Sequence, residues 1–182
     1  MKEKLPLVSV TMACYNHEQY VADAIESVLN QTYPNIELIV ADNGSLDNSY
    51  EVIRQYEGKV KKIFRLEKND RKKCAEMLFA ETSGSYFTIM PSDDYWEPEK
   101  VELQMQAFRD HPNVKVCATW AVYTDENLIP ISDNSVFIQE NRSRSEWIRY
   151  LLENGNCFAY ASVIMDMDLK RKALPRLNRG YI

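Results

Sequence analysis

The chain has 182 residues, enough for one domain with a sizeable core, and its 45% hydrophobic and 27% charged fractions are those of a soluble globular protein. Its net charge of −5 gives no broad electrostatic attraction to nucleic acid, and its aromatic content argues against disorder. Four cysteines (Cys14, Cys74, Cys117, Cys157) lack zinc-ribbon or CxxC spacing and read as reduced core thiols of a cytosolic protein.

Met1-Lys2-Glu3-Lys4-Leu5-Pro6 leads into an apolar run too short and broken for a signal or spanning helix. Residues 8–13 then form a short apolar run bounded by turn signals, a buried strand. Tyr20, Val21, Ala24, Ile25, Val28 and Leu29 recur at helical spacing, and Pro34-Asn35 breaks that helix. A second strand over 36–41 ends at Asp42-Asn43-Gly44-Ser45, and a helix over 49–56 and a strand over 60–66 follow. Cys74, Met77 and Leu78 mark a third helix stopped near Ser83-Gly84. A fourth strand over 86–90 ends at Pro91-Ser92-Asp93-Asp94. Pro98 suits the first turn of the next helix, with Val101, Met105 and Phe108 inward and His111 solvated at its end.

A fifth strand is expected over 114–123, and a long polar loop over 124–142 that includes the sequon Asn141-Arg142-Ser143. Ser143-x-x-Glu146 is a capping box opening a helix through Leu152, and 160–165 reads as a last strand. Asp166 and Asp168 open the helix that carries Lys170, Arg171 and Lys172. The alternation of strand and helix predicts an α/β fold with a mostly parallel sheet covered on both faces. Ligands of such sheets bind beyond the carboxyl ends of the strands.

Three predicted strand ends carry polar groups: Cys14-Tyr15-Asn16-His17, Asp42-Asn43-Gly44-Ser45 and Ser92-Asp93-Asp94-Tyr95-Trp96. Adjacent aspartates after a buried strand repel each other, and a divalent cation relieves that repulsion; Mg²⁺ or Mn²⁺ suits hard oxygen ligands, with phosphates completing the shell. A solvated turn that caps the next helix explains the same pair. Asp42 reads either as a ligand contact or as an Asx turn, and Gly44 permits a tight turn. Tyr15 suits stacking on a flat base or covering the sheet edge; Asn16 suits capping the first helix, and His17 an exposed position. No GxGxxG follows the first strand and no P-loop occurs, so phosphate must be held by a metal or by side chains.

The sequence resembles family 2 of the glycosyltransferases, with the GT-A fold, a Rossmann-like three-layer sandwich. The matching stretches are Leu7-Val8-Ser9-Val10-Thr11-Met12-Ala13-Cys14-Tyr15-Asn16, Ala24-Ile25-Glu26-Ser27-Val28-Leu29-Asn30-Gln31-Thr32-Tyr33, Glu37-Leu38-Ile39-Val40-Ala41-Asp42-Asn43-Gly44-Ser45 and Ser92-Asp93-Asp94-Tyr95-Trp96-Glu97-Pro98, within residues 5–165. The resemblance implies a nucleotide-sugar site of Ala13, Tyr15, Asn16, Asp42, Arg71 and Asp93, with Mn²⁺ or Mg²⁺ on Asp93 and Asp94. Tyr15 would lie along the nucleobase and Asp42 would accept a hydrogen bond from it, typically from uracil. It implies an inverting attack by an acceptor hydroxyl of a glycan, a lipid-linked sugar or a protein. It also implies a nucleotide half over about 5–98 and the start of an acceptor half over 99–182.

Departures from the family pattern are Asn43 where a second aspartate is frequent, Pro91 at the first of three acidic positions, and Cys74-Ala75-Glu76 in place of Ala-Arg-Asn. Arg71, Lys72 or Lys73 either supplies the missing positive charge or forms a solvated helix face. The family's general base lies in an acidic segment expected beyond Ile182, which implies a fragment of a longer enzyme. Two other readings stay open: a non-catalytic nucleotide-binding module, and a nucleotidyltransferase, which lacks its early glycine-rich loop here. A cytoplasmic location is expected. Lys170, Arg171, Lys172, Arg176 and Arg179 suit either a solvated helix or peripheral contact with the inner face of a membrane. No motif specifies oligomeric state.

Overall fold

A computed structural model describes residues 5–131, 136–137, 140, 142–155 and 158–177. Met1, Lys2, Glu3, Lys4, Asn141, Cys157, Arg179 and Ile182, named above, lie outside the described residues.

The elements run β1 Val8–Cys14, α1 Val21–Leu29, β2 Ile36–Asp42, α2 Ser49–Arg54, β3 Lys62–Arg65, α3 Arg71–Ala80, β4 Tyr86–Ile89 and α4 Lys100–Asp110. Then follow β5 Val116–Ala118, β6 Ala121–Val122, β7 Val136–Phe137, α5 Arg144–Asn154, a 3-10 turn at Tyr160–Ser162, β8 Val163–Asp166 and α6 Met167–Leu177. The main sheet has the order β3-β2-β1-β4-β8-β5. β3, β2, β1 and β4 are parallel, and β8 runs antiparallel to both β4 and β5. The expected three-layer α/β architecture is present.

Residue size along β1 decides the layers. Val8, Val10, Met12 and Cys14 join Val21, Ala24, Ile25 and Val28 of α1 and Val101, Met105 and Phe108 of α4 in one buried cluster. On β2, Ile39 and Ala41 join Cys74 and Leu78 of α3 in a second cluster on the opposite side. Ser9, Thr11 and Ala13 alternate with the apolar set of β1 and are small enough to let α3 approach. Phe87 of β4 meets Phe79 of α3 edge-on, and Lys170 of α6 lies over its ring.

The amino-terminal edge of the sheet is held by Glu37. Its carboxylate accepts from Ser9 Oγ at 2.5 Å, Lys61 Nζ at 2.7 Å, Ser83 N at 2.6 Å and Ser83 Oγ at 2.7 Å. Burial works against the charge, but these donors prevail and hold the carboxyl at about 2. Gln31 performs a similar task above α4: its Oε1 accepts from Val101 N and its Nε2 donates to Glu97 O.

Several expectations change. Pro98 precedes α4, which begins at Lys100, because the Pro98 carbonyl is taken by Thr32 N at 2.9 Å. Tyr20 and Leu29 are half-exposed rather than inward, since α1 is short and they flank its buried stripe. The strand expected over 114–123 divides: β5 stays in the main sheet, while β6 leaves it to pair with β7. Within the loop expected over 124–142, Thr124 forms a bridge with Pro130, and Asp125 Oδ1 accepts from Asn127 N and Ile129 N. Residues 160–162 form a 3-10 turn before β8. The capping box stands as expected: Glu146 N donates to Ser143 Oγ and Ser143 N to Glu146 Oε2. Asp166 caps α6 through Asp168 N and Leu169 N.

Candidate functional site

Parallel pairing brings the polar strand ends together. Cys14 stands opposite Asp42, and Asp42 opposite Arg65, at one end of the sheet. β4 ends beside them, with Met90 N donating to Thr11 O.

Two loops at this edge are laced by hydrogen bonds. Asn16 N donates to Ser45 Oγ at 3.0 Å, and Leu46 N donates to Asn16 Oδ1 at 2.8 Å. His17 N donates to Ser49 Oγ, Glu18 N to Asp47 Oδ2, and Asn48 N to Glu18 Oε2. Asn16 adopts φ 57°, the left-handed region that asparagine tolerates best after glycine. Its side chain therefore braces the second loop and does not cap α1, whose N-cap is Tyr20. Gly44 is required twice over. Its φ is 77°, and a Cβ there would lie 2.5 Å from the Lys68 carbonyl carbon.

Asn43 is buried, and its amide works in both directions. Oδ1 accepts from Asp70 N at 2.9 Å, and Nδ2 donates to Asn69 Oδ1 at 3.2 Å. Asn43, a departure from the family pattern, is thus a bracket between β2 and the start of α3. Asp70 caps α3 through Lys73 N, while Arg71, Lys72 and Lys73 are exposed and make no ion pair among the described residues.

Asp42 is fully buried at the end of β2. Its Oδ1 accepts from Ser45 N, three residues on, at 3.3 Å, one residue further than the Asx turn that the sequence offered. Oδ2 is buried with no hydrogen-bond partner, and Arg65 Nε lies 3.9 Å away. The Arg65 guanidinium rests over the Tyr50 ring at 4.2 Å and is half-exposed. A buried carboxylate oxygen without a donor is costly unless a ligand supplies one.

The acidic loop is anchored from both sides. Ser92 is buried, and its Oγ donates to Ala13 O at 3.2 Å. Trp96 is buried beyond the aspartates, with Lys100 Nζ over its ring at 4.1 Å. Burial lowers the Lys100 ammonium to about 7, and Nζ donates to Gln104 Oε1. Between these anchors Asp93, Asp94 and Tyr95 are exposed, as are Ala13 and Tyr15 at the end of β1. Protein crowding around the Asp94 carboxyl, and then the charge of Asp93, raise it above the usual carboxylate range. No group of three or more His, Cys, Asp or Glu side chains that could hold a metal ion converges among the described residues.

His17 was expected to be exposed. Instead its Nδ1 lies 2.8 Å from Ser92 Oγ and 3.9 Å from Asp93 Oδ1, joining the first strand end to the acidic loop. A histidine two residues beyond Tyr15 gave no periodic signal, because only the parallel pairing of β1 with β4 sets it beside Ser92.

The sequence profile described as Glycosyl transferase family 2 matches residues 9–167. The chain belongs to that family. Among relatives, an uncharacterized glycosyltransferase of Haemophilus influenzae is 30% identical over 167 residues, 90% of this chain and 64% of its own length. The chain spans 33% to 64% of the length of the first curated relatives it matches. S. aureus TarS 1-349, solved in complex with UDP, superimposes with TM-score 0.54 at 26% identity, covering 60% of this chain and 34% of that one. The mannosyltransferase PcManGT of Pyrobaculum calidifontis, solved with GDP-Man and Mn²⁺, shares the GT-A fold with TM-score 0.62 at 14% identity over 96% of this chain and 47% of its own.

Proposed function

We propose that this family 2 domain binds a nucleotide-sugar, with a uracil nucleotide as the donor, and serves a metal-dependent, inverting sugar transfer to a hydroxyl of a glycan, a lipid-linked sugar or a protein. The observation that carries the reading is the buried, unpartnered Oδ2 of Asp42 beside the exposed Tyr15. An N–H on the edge of a base satisfies that oxygen, and Tyr15 offers the flat surface along which the base lies. Arg65, half-exposed over Tyr50, must turn aside for the base to enter. Asn16 and Ala13 shape the pocket, the first by holding the loop and the second by ending β1 in a small side chain. The UDP complex of S. aureus TarS supports the choice of base.

Asp93 and Asp94 would hold Mn²⁺ or Mg²⁺, a reading that the raised Asp94 and the Mn²⁺ of the Pyrobaculum enzyme support. The ion would supply charge neutralisation for the leaving diphosphate. Arg71, at the exposed start of α3, is free to approach the same phosphates. The acceptor hydroxyl needs a carboxylate base, and we assign that role to none of the described residues. Asp166 is unsuited, because its Oδ1 already caps α6 and its Oδ2 pairs with Lys115 at 3.0 Å. A cytoplasmic setting supplies nucleotide-sugars. Among the described residues no helix is long and apolar enough to cross a membrane; the exposed Arg171 and Lys172 would favour peripheral contact, whereas Lys170 packs over Phe87.

Thermal unfolding tests the reading. UDP with Mn²⁺ should stabilise the protein by about 2.7 kcal/mol at a hundredfold excess over Kd. Asp94→Ala should remove the metal-dependent part and Asp42→Ala the uracil-dependent part. Equal stabilisation by all nucleotides, with or without metal, would sink it. Asn43 no longer favours the non-catalytic module, since its amide has a structural task. Transfer by a longer form that includes the downstream segment decides between module and enzyme.

A further inference from the structure

The donor-site reading leaves His17 without a role, yet its position is unusually well tied. Its backbone N–H donates to Ser49 Oγ at the start of α2, and its carbonyl accepts from Tyr20 N and Val21 N at the start of α1. Its ring then reaches the end of β4 through Ser92, which is separated from it by 75 residues. One residue therefore touches four elements that meet at the site.

The tautomer of the ring follows from its neighbours. Ser92 has a single hydroxyl proton, and its Oγ donates to the Ala13 carbonyl, which can only accept. With that proton engaged, Ser92 Oγ turns a lone pair toward His17 Nδ1 at 2.8 Å, an arrangement that suits Nδ1 as the protonated ring nitrogen. Asp93 Oδ1 at 3.9 Å from the same nitrogen agrees with this, because a lone pair on Nδ1 would face a carboxylate. Both contacts ask for Nδ1–H.

We propose that His17 is a positioning residue for the acidic loop: as the Nδ1–H tautomer it donates to Ser92 Oγ and holds Asp93 and Asp94 in register against β1 for the diphosphate of the donor. The role rests on the donor-site reading. It implies that His17 acts on the phosphate end of the site and leaves the base end to Asp42 and Tyr15.

Asparagine and glutamine separate this role from general packing. The Nδ2 of asparagine stands the same number of bonds from Cα as Nδ1 of histidine, whereas the nitrogen of glutamine stands nearer the place of Nε2. Affinity for UDP with Mn²⁺ and for uridine without metal is measured in the unaltered protein and in His17→Ala, His17→Asn and His17→Gln. His17→Ala should weaken UDP binding by about fivefold to tenfold, the loss of one hydrogen bond, and leave uridine binding within about twofold. His17→Asn should recover most of the loss and His17→Gln should not. Equal weakening of UDP and uridine by His17→Ala, or rescue by glutamine alone, overturns the proposal. In nitrogen-15 spectra of the neutral ring, His17 should show a protonated Nδ1; a protonated Nε2 overturns it as well. Failure of the unaltered protein to bind UDP overturns the donor-site reading and this role together. UDP binding that is indifferent to His17→Ala overturns only the role of His17.

Discussion

The edge built from β1, β2 and β4 and the region from Val116 to Asn154 make opposite use of their side chains. At the edge, loops from distant parts of the chain satisfy one another, and polar groups such as Asn43, Ser49 and Ser92 are buried with partners. In the second region, Trp120, Tyr123, Ile129, Ile131 and Leu152 are exposed, and β6 and β7 form their own two-stranded sheet. The first region is stabilised internally and can hold a ligand rigidly. Among its described residues the second presents these apolar side chains to solvent, and each of them contributes little to the folding of this domain.

Substitutions can break that comparison. The largest effect is expected at Ile25→Ala, inside the cluster beneath β1, at about 2–5 kcal/mol in denaturant unfolding. Leu152→Ala, at 82% exposure, should stay within about 0.5 kcal/mol, and a larger value would show that the second region is better packed than its exposure indicates. Gly44→Ala should follow at about 3 kcal/mol, from a left-handed backbone combined with a clash against the Lys68 backbone. It should also abolish nucleotide binding, because Gly44 sits between Asp42 and the loop tied to Asn16.

Acid unfolding comes next. The folded-state value of Glu37 lies near 2, below the ordinary 4.5, so its contribution is complete above about 4.5 and is lost as pH falls through 2. The depression sets an upper limit of about 3 kcal/mol, discounted because its partner Lys61 is one-third exposed. Glu37→Gln should flatten stability against pH across that window. A smaller loss, about 1 kcal/mol, is expected at Asn43→Asp, because aspartate can accept from Asp70 N but cannot donate to Asn69 Oδ1. Neutral stability of that variant would show that Asn69 turns its amide to compensate.

Much of this was legible in the chain. The helical spacing of Val21, Ala24, Ile25 and Val28 and the apolar runs of β1 and β2 reported burial directly, because both layers exclude water from those positions. Ser143-x-x-Glu146 announced α5 through purely local hydrogen bonds. Boundaries failed where a distant partner intervened. Thr32 takes the Pro98 carbonyl from the expected first turn of α4, and β7 draws residues 121–122 out of the main sheet. Asn43 and His17 failed for the same reason: their partners lie 27 and 75 residues away.

Local sequence determined which segments are strands or helices and that acidic and aromatic residues follow β1, β2 and β4. Periodicity and turn chemistry act over a few residues and leave their mark in composition. Tertiary structure decided which oxygen of Asp42 remains without a donor, that Asn16 and Gly44 serve the loops, and that His17 turns its ring to Ser92 beside Asp93. Those outcomes depend on parallel pairing across the sheet, which brings together side chains that share no local pattern.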